Sequence, residues 1–129
     1  MIRRFLYLRL LRAVLVLGAL YDLGFSLLML WAPGIPSRWL EVPLPAEPFW
    51  LELTAIFLLM LGFLYAAAAR EPRRYSAVIL VAIGGRLLGA LVLGGAAWSR
   101  PELGGLWTVA ALDLVLAVAT AWFWRAWRR

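Results

Sequence analysis

Four long apolar stretches divide this chain of 129 residues, and each is long enough to cross a lipid bilayer as a helix. A helix rises about 1.5 Å per residue, so a hydrocarbon core of ~30 Å needs about 20 apolar residues. Lipid offers no hydrogen-bond partner to an open backbone, which limits spanning segments to helices and closed barrels. The sequence therefore predicts an all-α polytopic membrane protein, a four-transmembrane-helix bundle forming a single domain over 1–129. The spans are predicted at about 13–32, 49–69, 75–98 and 103–124.

Composition excludes several classes of function. Hydrophobic residues make up 65% of the chain, against roughly 45–50% in a soluble domain, so we expect no separate soluble domain. The chain has no cysteine and no histidine, which excludes disulfides, histidine-ligated haem or copper and the usual zinc sites. The net charge of +6 comes from thirteen arginines without lysine. Because most of them flank the apolar stretches, membrane lipids with acidic headgroups, not nucleic acid, are the expected electrostatic partners.

The segments between the apolar stretches are short and polar. Residues 1–12 interleave arginines with large apolar side chains, and we interpret them as a lead-in to the first span that lies partly in the membrane interface. Segment 33–48 contains five of the seven prolines and is predicted to be an extramembrane loop. Segment 70–74 is a short basic turn.

Arginine asymmetry predicts how the bundle is oriented. If both termini lie in the cytoplasm, ten arginines fall on the cytoplasmic side and two fall outside, as the positive-inside rule requires. Tryptophans flank both predicted membrane surfaces, which is typical of interfacial belts. The sequence therefore predicts a topology with the N and C termini both inside.

Four ionisable side chains, Asp22, Glu52, Arg86 and Asp113, lie within or at the edge of the apolar stretches. Asp22 and Asp113 each precede a tryptophan at a predicted helix end by nine residues, roughly 13 Å along a helix and close to half of a ~30 Å core. Arg86 lies at the centre of the third predicted span, whereas Glu52 is near the outer end of the second. Charges at this depth are rare and indicate functional sites.

We expect a buried ionic cluster in which Arg86 lies between Asp22 and Asp113, with Glu52 forming a separate polar site on the outer side. Two carboxylates and one guanidinium leave a formal charge of −1, to be balanced by a proton, a bound cation or water. Tyr21, Ser26 and Thr120 are accessory candidates, and no catalytic residue or metal ligand is identified. Three interpretations stay open: the cluster fixes the helix register, forms a site for a proton, cation or small polar ligand, or meets a partner subunit.

Three segments carry a family resemblance: Ala69-Arg70-Glu71-Pro72-Arg73-Arg74-Tyr75, Gly84-Gly85-Arg86-Leu87-Leu88-Gly89-Ala90 and Ala111-Leu112-Asp113-Leu114. With them the chain resembles the DoxX-like group of small four-helix bacterial membrane proteins. The resemblance implies a multi-pass protein of the bacterial inner membrane, associated with redox or sulfur-oxidising complexes and close to quinone. The resemblance assigns no catalytic role to any residue of this chain.

Three functions follow as hypotheses. The first is a non-catalytic subunit or stabilising partner of a larger membrane complex, without a cofactor of its own unless a quinone or a lipid binds. The second is a small proton-coupled or cation transporter that works as a homo-oligomer. The third is a membrane-embedded acid–base enzyme acting on a lipid or isoprenoid, which we rank last because the chain lacks the usual nucleophiles and metal ligands.

Overall fold

The computed structural model describes residues 2–129, and they form helices joined by short connections. Four of the helices are long and apolar enough to cross a membrane, and no strand is present among the described residues. The predicted all-α four-helix membrane bundle is therefore confirmed. The helices are α1 (Ile2–Trp31), α2 (Gly34–Leu40), α3 (Pro48–Arg70), α4 (Ser76–Ser99) and α5 (Leu106–Arg128), with one turn of 3-10 helix at Pro101–Leu103.

α1 begins at Ile2 and includes the segment that was expected to be only a lead-in. Its 30 residues extend about 45 Å, well beyond a ~30 Å hydrocarbon core. The extension is fixed by contacts to other helix ends: Arg4 Nε donates to the Trp127 carbonyl at 3.2 Å, and Arg12 Nη2 donates to the Arg70 carbonyl at 3.2 Å. The start of α1, the end of α5 and the turn between α3 and α4 therefore lie together, and we call this the arginine-rich end of the bundle.

The opposite end, which we call the loop end, contains a short helix that the sequence did not predict. α2 occupies the first half of the proline-rich segment, and its Pro36 is buried. The chain leaves α2 at Glu41, whose φ of 53° is left-handed. A side chain at Gly105 would collide with the Leu40 backbone, so the end of α2 lies directly against the start of α5. The expected loop is thus partly helical and packed onto the bundle.

The four long helices do not pack equally. α1 packs against α3 and α5, and α5 packs against α4, whereas α3 and α4 make little contact although they follow one another in the chain. At the arginine-rich end all four helices are joined by a hydrophobic core formed by Leu11, Leu15, Ala68, Ala69, Ile79, Trp124 and Trp127. The core closes this end of the bundle, and the weak α3–α4 contact leaves a gap nearer the loop end.

Candidate functional site

Three charged side chains from three helices form an ion-paired triad inside the bundle. Arg86 of α4 donates from Nη1 to Asp113 Oδ1 at 2.7 Å and from Nη2 to Asp22 Oδ2 at 2.9 Å. Asp22 and Arg86 are only 2% and 7% exposed, and the Asp113 side chain is 14% exposed. Both distances are typical of charge-assisted hydrogen bonds. The guanidinium therefore links α1, α4 and α5 through its two terminal nitrogens.

Glycines make room for these charged groups. Gly18 lies one turn before Asp22, and its carbonyl accepts a third hydrogen bond from Arg86 Nη2 at 3.3 Å. A Cβ at Gly18 would lie 3.1 Å from that nitrogen, and one at Gly89 would lie 3.2 Å from Asp113 Oδ2. Small residues in these helices thus allow a long charged side chain to pass between closely packed backbones.

Two tyrosine rings face the guanidinium. The Arg86 Cζ atom lies 5.1 Å from the ring centroid of Tyr65 and 5.6 Å from that of Tyr21. Both distances fall within the range of cation–π contacts. Because Tyr65 belongs to α3, which contributes no charge to the triad, all four long helices meet at Arg86. Sequence reasoning missed Tyr65, although it lies three residues after Gly62 and so beside the small face of that helix.

The charges of the triad do not balance. Each carboxylate uses one oxygen to accept from Arg86, and among the described residues neither Asp22 Oδ1 nor Asp113 Oδ2 accepts a hydrogen bond. Both aspartates border a cleft in the bundle. With both aspartates ionised, the triad carries a formal charge of −1, and it has two unused acceptors.

A cleft of about 310 Å³ extends from the triad toward the loop end. Its volume is at the lower end of the ~300–1,000 Å³ typical of small-molecule sites. On α1 it runs from Asp22 to Met29, about 10 Å of helix. Val81 and Gly85 line the cleft on α4 and are exposed, so it opens sideways between α3 and α4. Apolar and aromatic side chains line most of the wall: Tyr21, Phe25, Met29, Leu40, Leu58, Leu61, Tyr65, Leu93, Leu106 and Val109.

The other candidates from the sequence lie outside the triad. Glu52 is exposed on the first turns of α3 and does not line the cleft. Ser26 is fully buried, but its hydroxyl has no partner within residues 2–129. Thr120 donates to the Leu116 carbonyl of its own helix at 2.6 Å. Of the accessory candidates, only Tyr21 contacts Arg86 and lines the cleft.

Comparisons with known proteins place the chain in no family. No family model matches the sequence, and no curated protein or solved structure matches it either. Within the described part of the chain, no group of three or more acidic residues is arranged to hold a metal ion. The fold and the site define a four-helix membrane protein with a buried Asp–Arg–Asp triad at the floor of an apolar cleft. Its chemistry suits three tasks: fixing the helices, holding a cation, and orienting a molecule that enters from the membrane.

Proposed function

We propose that this chain is a non-catalytic membrane protein that binds a membrane-soluble molecule in the cleft and serves as a subunit of a larger membrane complex. The observation that carries the proposal is the cleft itself, with apolar walls from all four long helices and a charged floor. Pockets of this kind, apolar with a few convergent polar groups, are the usual form of small-molecule sites. A molecule dissolved in the bilayer can reach this one directly, through the gap between α3 and α4.

The triad is better suited to binding than to catalysis. Each carboxylate is held by Arg86 through a short hydrogen bond, and two tyrosine rings restrict the guanidinium further. A general acid or base must move its proton onto a substrate at the reacting position. Groups that are paired and restrained in this way favour the recognition and orientation of a ligand.

The assembly part of the proposal rests on the resemblance to the DoxX-like proteins. It includes the bacterial inner membrane as location, a redox complex as partner and a quinone or a lipid as candidate ligand. A second copy of the chain is the alternative partner. Copurification in a mild detergent tests this part: a subunit should bring a partner with it in fixed stoichiometry, and a chain that purifies alone as a monomer would contradict it.

The binding part is tested by filling the cleft. Leu58 lines the cleft, whereas the preceding residue, Phe57, is exposed and does not line it. Native mass spectrometry of the mildly solubilised wild-type protein should detect a bound lipid or other membrane-derived molecule. Leu58→Trp should lose this molecule and Phe57→Trp should retain it. Retention by both variants would show that the molecule binds elsewhere.

A cation or proton carrier is the second candidate, and the excess charge of the triad favours it. Carriers bind their substrate near the midplane and expose the site to each side in turn. In this structure the hydrophobic core of the arginine-rich end separates the triad from that surface, so a carrier needs a second conformation in which the core opens. Uptake into liposomes that Asp22→Asn abolishes with the fold intact would support the carrier, and no uptake above empty liposomes would exclude it.

A further inference from the structure

The charge and hydrogen-bond chemistry of the cleft floor define the class of molecule that the cleft binds. Building on the proposed function, we propose that this molecule is a single-chain amphiphile with a protonated amine as its head. The ammonium group donates to the free oxygens of Asp22 and Asp113, and the apolar chain occupies the cleft toward the loop end. Such a molecule comes from the membrane and enters between α3 and α4.

Charge favours a monovalent cation. With both carboxylates ionised, the two aspartates and the guanidinium carry a formal charge of −1, which one ammonium group neutralises. No further basic side chain lines the cleft. An anionic head would face like charge in a low-dielectric site, where repulsion is strong, and a neutral head would leave the excess charge to be balanced by a proton or by water.

Hydrogen bonding also favours an amine. Asp22 Oδ1 and Asp113 Oδ2 are acceptors without a protein donor, whereas Arg86 already donates to both aspartates and to the Gly18 carbonyl. The head must therefore supply N–H or O–H donors. A primary ammonium has three donors and can bond both oxygens, whereas a quaternary ammonium has none. A head that carries only carbonyl oxygens would compete with the aspartates for Arg86.

The small volume of the cleft, about 310 Å³, favours a single apolar chain. The rings of Tyr21 and Phe25 lie with their centroids 5.3 Å apart on the α1 wall, before and after Asp22 in the helix. Aliphatic side chains such as Leu61 and Val109 line the remaining wall toward the loop end. Aromatic faces beside the floor also stabilise a cationic head.

The test compares three probes that share one tail: dodecylamine, dodecanol and dodecanoic acid. Each is added at the same mole fraction to maltoside micelles containing the purified full-length chain at pH 7, and thermal unfolding is followed by tryptophan fluorescence. A ligand that binds only the folded state raises the unfolding temperature. Dodecylamine should raise it most, dodecanol less and dodecanoic acid least.

Variants assign the effect to the cleft. Asp113→Asn keeps the Asp22–Arg86 pair and removes the excess charge, so the amine should bind at least about tenfold more weakly to it. Glu52→Gln removes a carboxylate outside the cleft and should leave the response to the amine unchanged, which controls for general attraction to the protein. Leu58→Trp places a larger side chain in the cleft at a residue outside the triad, and it should abolish the response to every probe.

The outcomes separate this inference from the proposed function. If dodecanol matches dodecylamine and both effects vanish in Leu58→Trp, the cleft binds membrane molecules but does not select an amine. If the response to all probes is the same in Leu58→Trp as in the wild type, the cleft is not the binding site and both proposals fail. A stronger response to dodecanoic acid would also overturn the amine assignment.

Discussion

Arg86 contacts α1, α3 and α5 from its own position on α4. Burying an ion pair costs desolvation free energy that the attraction within the pair often only balances, so such pairs add little net stability. Removing one partner is different, because the remaining charges are left unpaired in a medium that cannot solvate them. Arg86 therefore matters for stability mainly because its loss would leave Asp22 and Asp113 unpaired inside the bundle.

Replacing Arg86 by methionine should destabilise the bundle by about 3–5 kcal/mol, because it leaves Asp22 and Asp113 without a counter-ion. Arg86→Lys should lose less stability, because the positive charge remains. It should still lose some, because lysine lacks the planar fork that binds two carboxylates at once. The free energy of unfolding in mixed micelles measures both effects. Arg100→Met, at an exposed arginine of the loop end, is the control and should stay close to wild type. Equal values for Arg86→Met and Arg100→Met would contradict the role of the triad.

The common level of the three charges could be predicted from the sequence, because helix rise converts a residue count into depth. The depth of a residue in the membrane does not specify which residues of the other helices lie next to it. The contact between Tyr65 and Arg86, and the way Gly18 makes room for the guanidinium, depend on how four helices are rotated about their axes. Glu52 was expected at an outer polar site, and the structure leaves it exposed at the start of α3.

At the scale of the helices, Gly62 sets how closely α1 and α3 approach. A Cβ at this position would lie 2.6 Å from Leu23 Cγ and 3.3 Å from the Ala19 carbonyl oxygen. The first contact is with a side chain that can move, but the second is with backbone. Close approach of these two helices therefore requires glycine here, as small residues allow in membrane bundles.

Gly62→Ala should destabilise the protein by about 1–3 kcal/mol, the usual cost of overpacking a tight interface. Gly84→Ala is the matched control, because a Cβ at Gly84 meets no atom within 4 Å. Both variants add one methyl group to the interior of a long helix, and only one of them should lower the unfolding temperature. A similar drop in the unfolding temperature of both variants would indicate an effect on the individual helices and not on the packing between α1 and α3.

Trp127 and Trp122 provide a second comparison within α5. Trp127 is 7% exposed and belongs to the core of the arginine-rich end, whereas Trp122 is 67% exposed. Trp127→Ala should cost about 3 kcal/mol, the lower end of the range for a buried aromatic residue. Trp122→Ala should change the unfolding free energy little. If the two substitutions cost the same, the core at this end contributes no more than the outer surface of the bundle.

The sequence predicted the four long helices, but it did not predict the full length of α1 or the presence of α2. Apolar runs of about 20 residues predict spans well, and proline limits helices, as at Pro48, which begins α3. The full length of α1 depends on contacts with distant helix ends, such as that between Arg4 and Trp127. α2 likewise depends on packing over Gly105. Neither contact has a local signal in the sequence.

At the scale of the whole molecule, positive charge is concentrated at one end of the bundle. Exposed arginines of α1, α5 and the α3–α4 turn share this end, whereas Arg38 and Arg100 lie at the other. The positive-inside rule then predicts that the arginine-rich end faces the cytoplasm. The fold joins these arginines at one surface, and the orientation relative to the membrane stays a prediction.

Single cysteines at Ser76 and Ser99 test this orientation, since they flank α4 at its two ends. A membrane-impermeant thiol reagent added to intact cells should label Ser99→Cys and spare Ser76→Cys. A membrane-permeant reagent should label both and so controls for accessibility within the fold. The reverse pattern with the impermeant reagent would invert the predicted topology.

The cleft is a property of the whole molecule, and the sequence did not predict it. It exists because α3 and α4 are joined by a short turn yet make little contact, while α1 packs between α3 and α5. The order of helices around a bundle depends on many small packing differences summed over all interfaces. A pattern of apolar residues in single helices does not encode that sum.

The triad also has a consequence for how the chain is made. Arg86 follows Asp22 by 64 residues and precedes Asp113 by 27. At about 5–20 residues per second of synthesis, Asp22 waits roughly 3–13 s for its counter-ion to emerge. During that interval the first helix carries an acidic side chain without its counter-ion, and in lipid such a group must be protonated or sheltered. Arg86 of α4 then pairs with Asp22, and α5 brings the second carboxyl, Asp113, after that pair can already form.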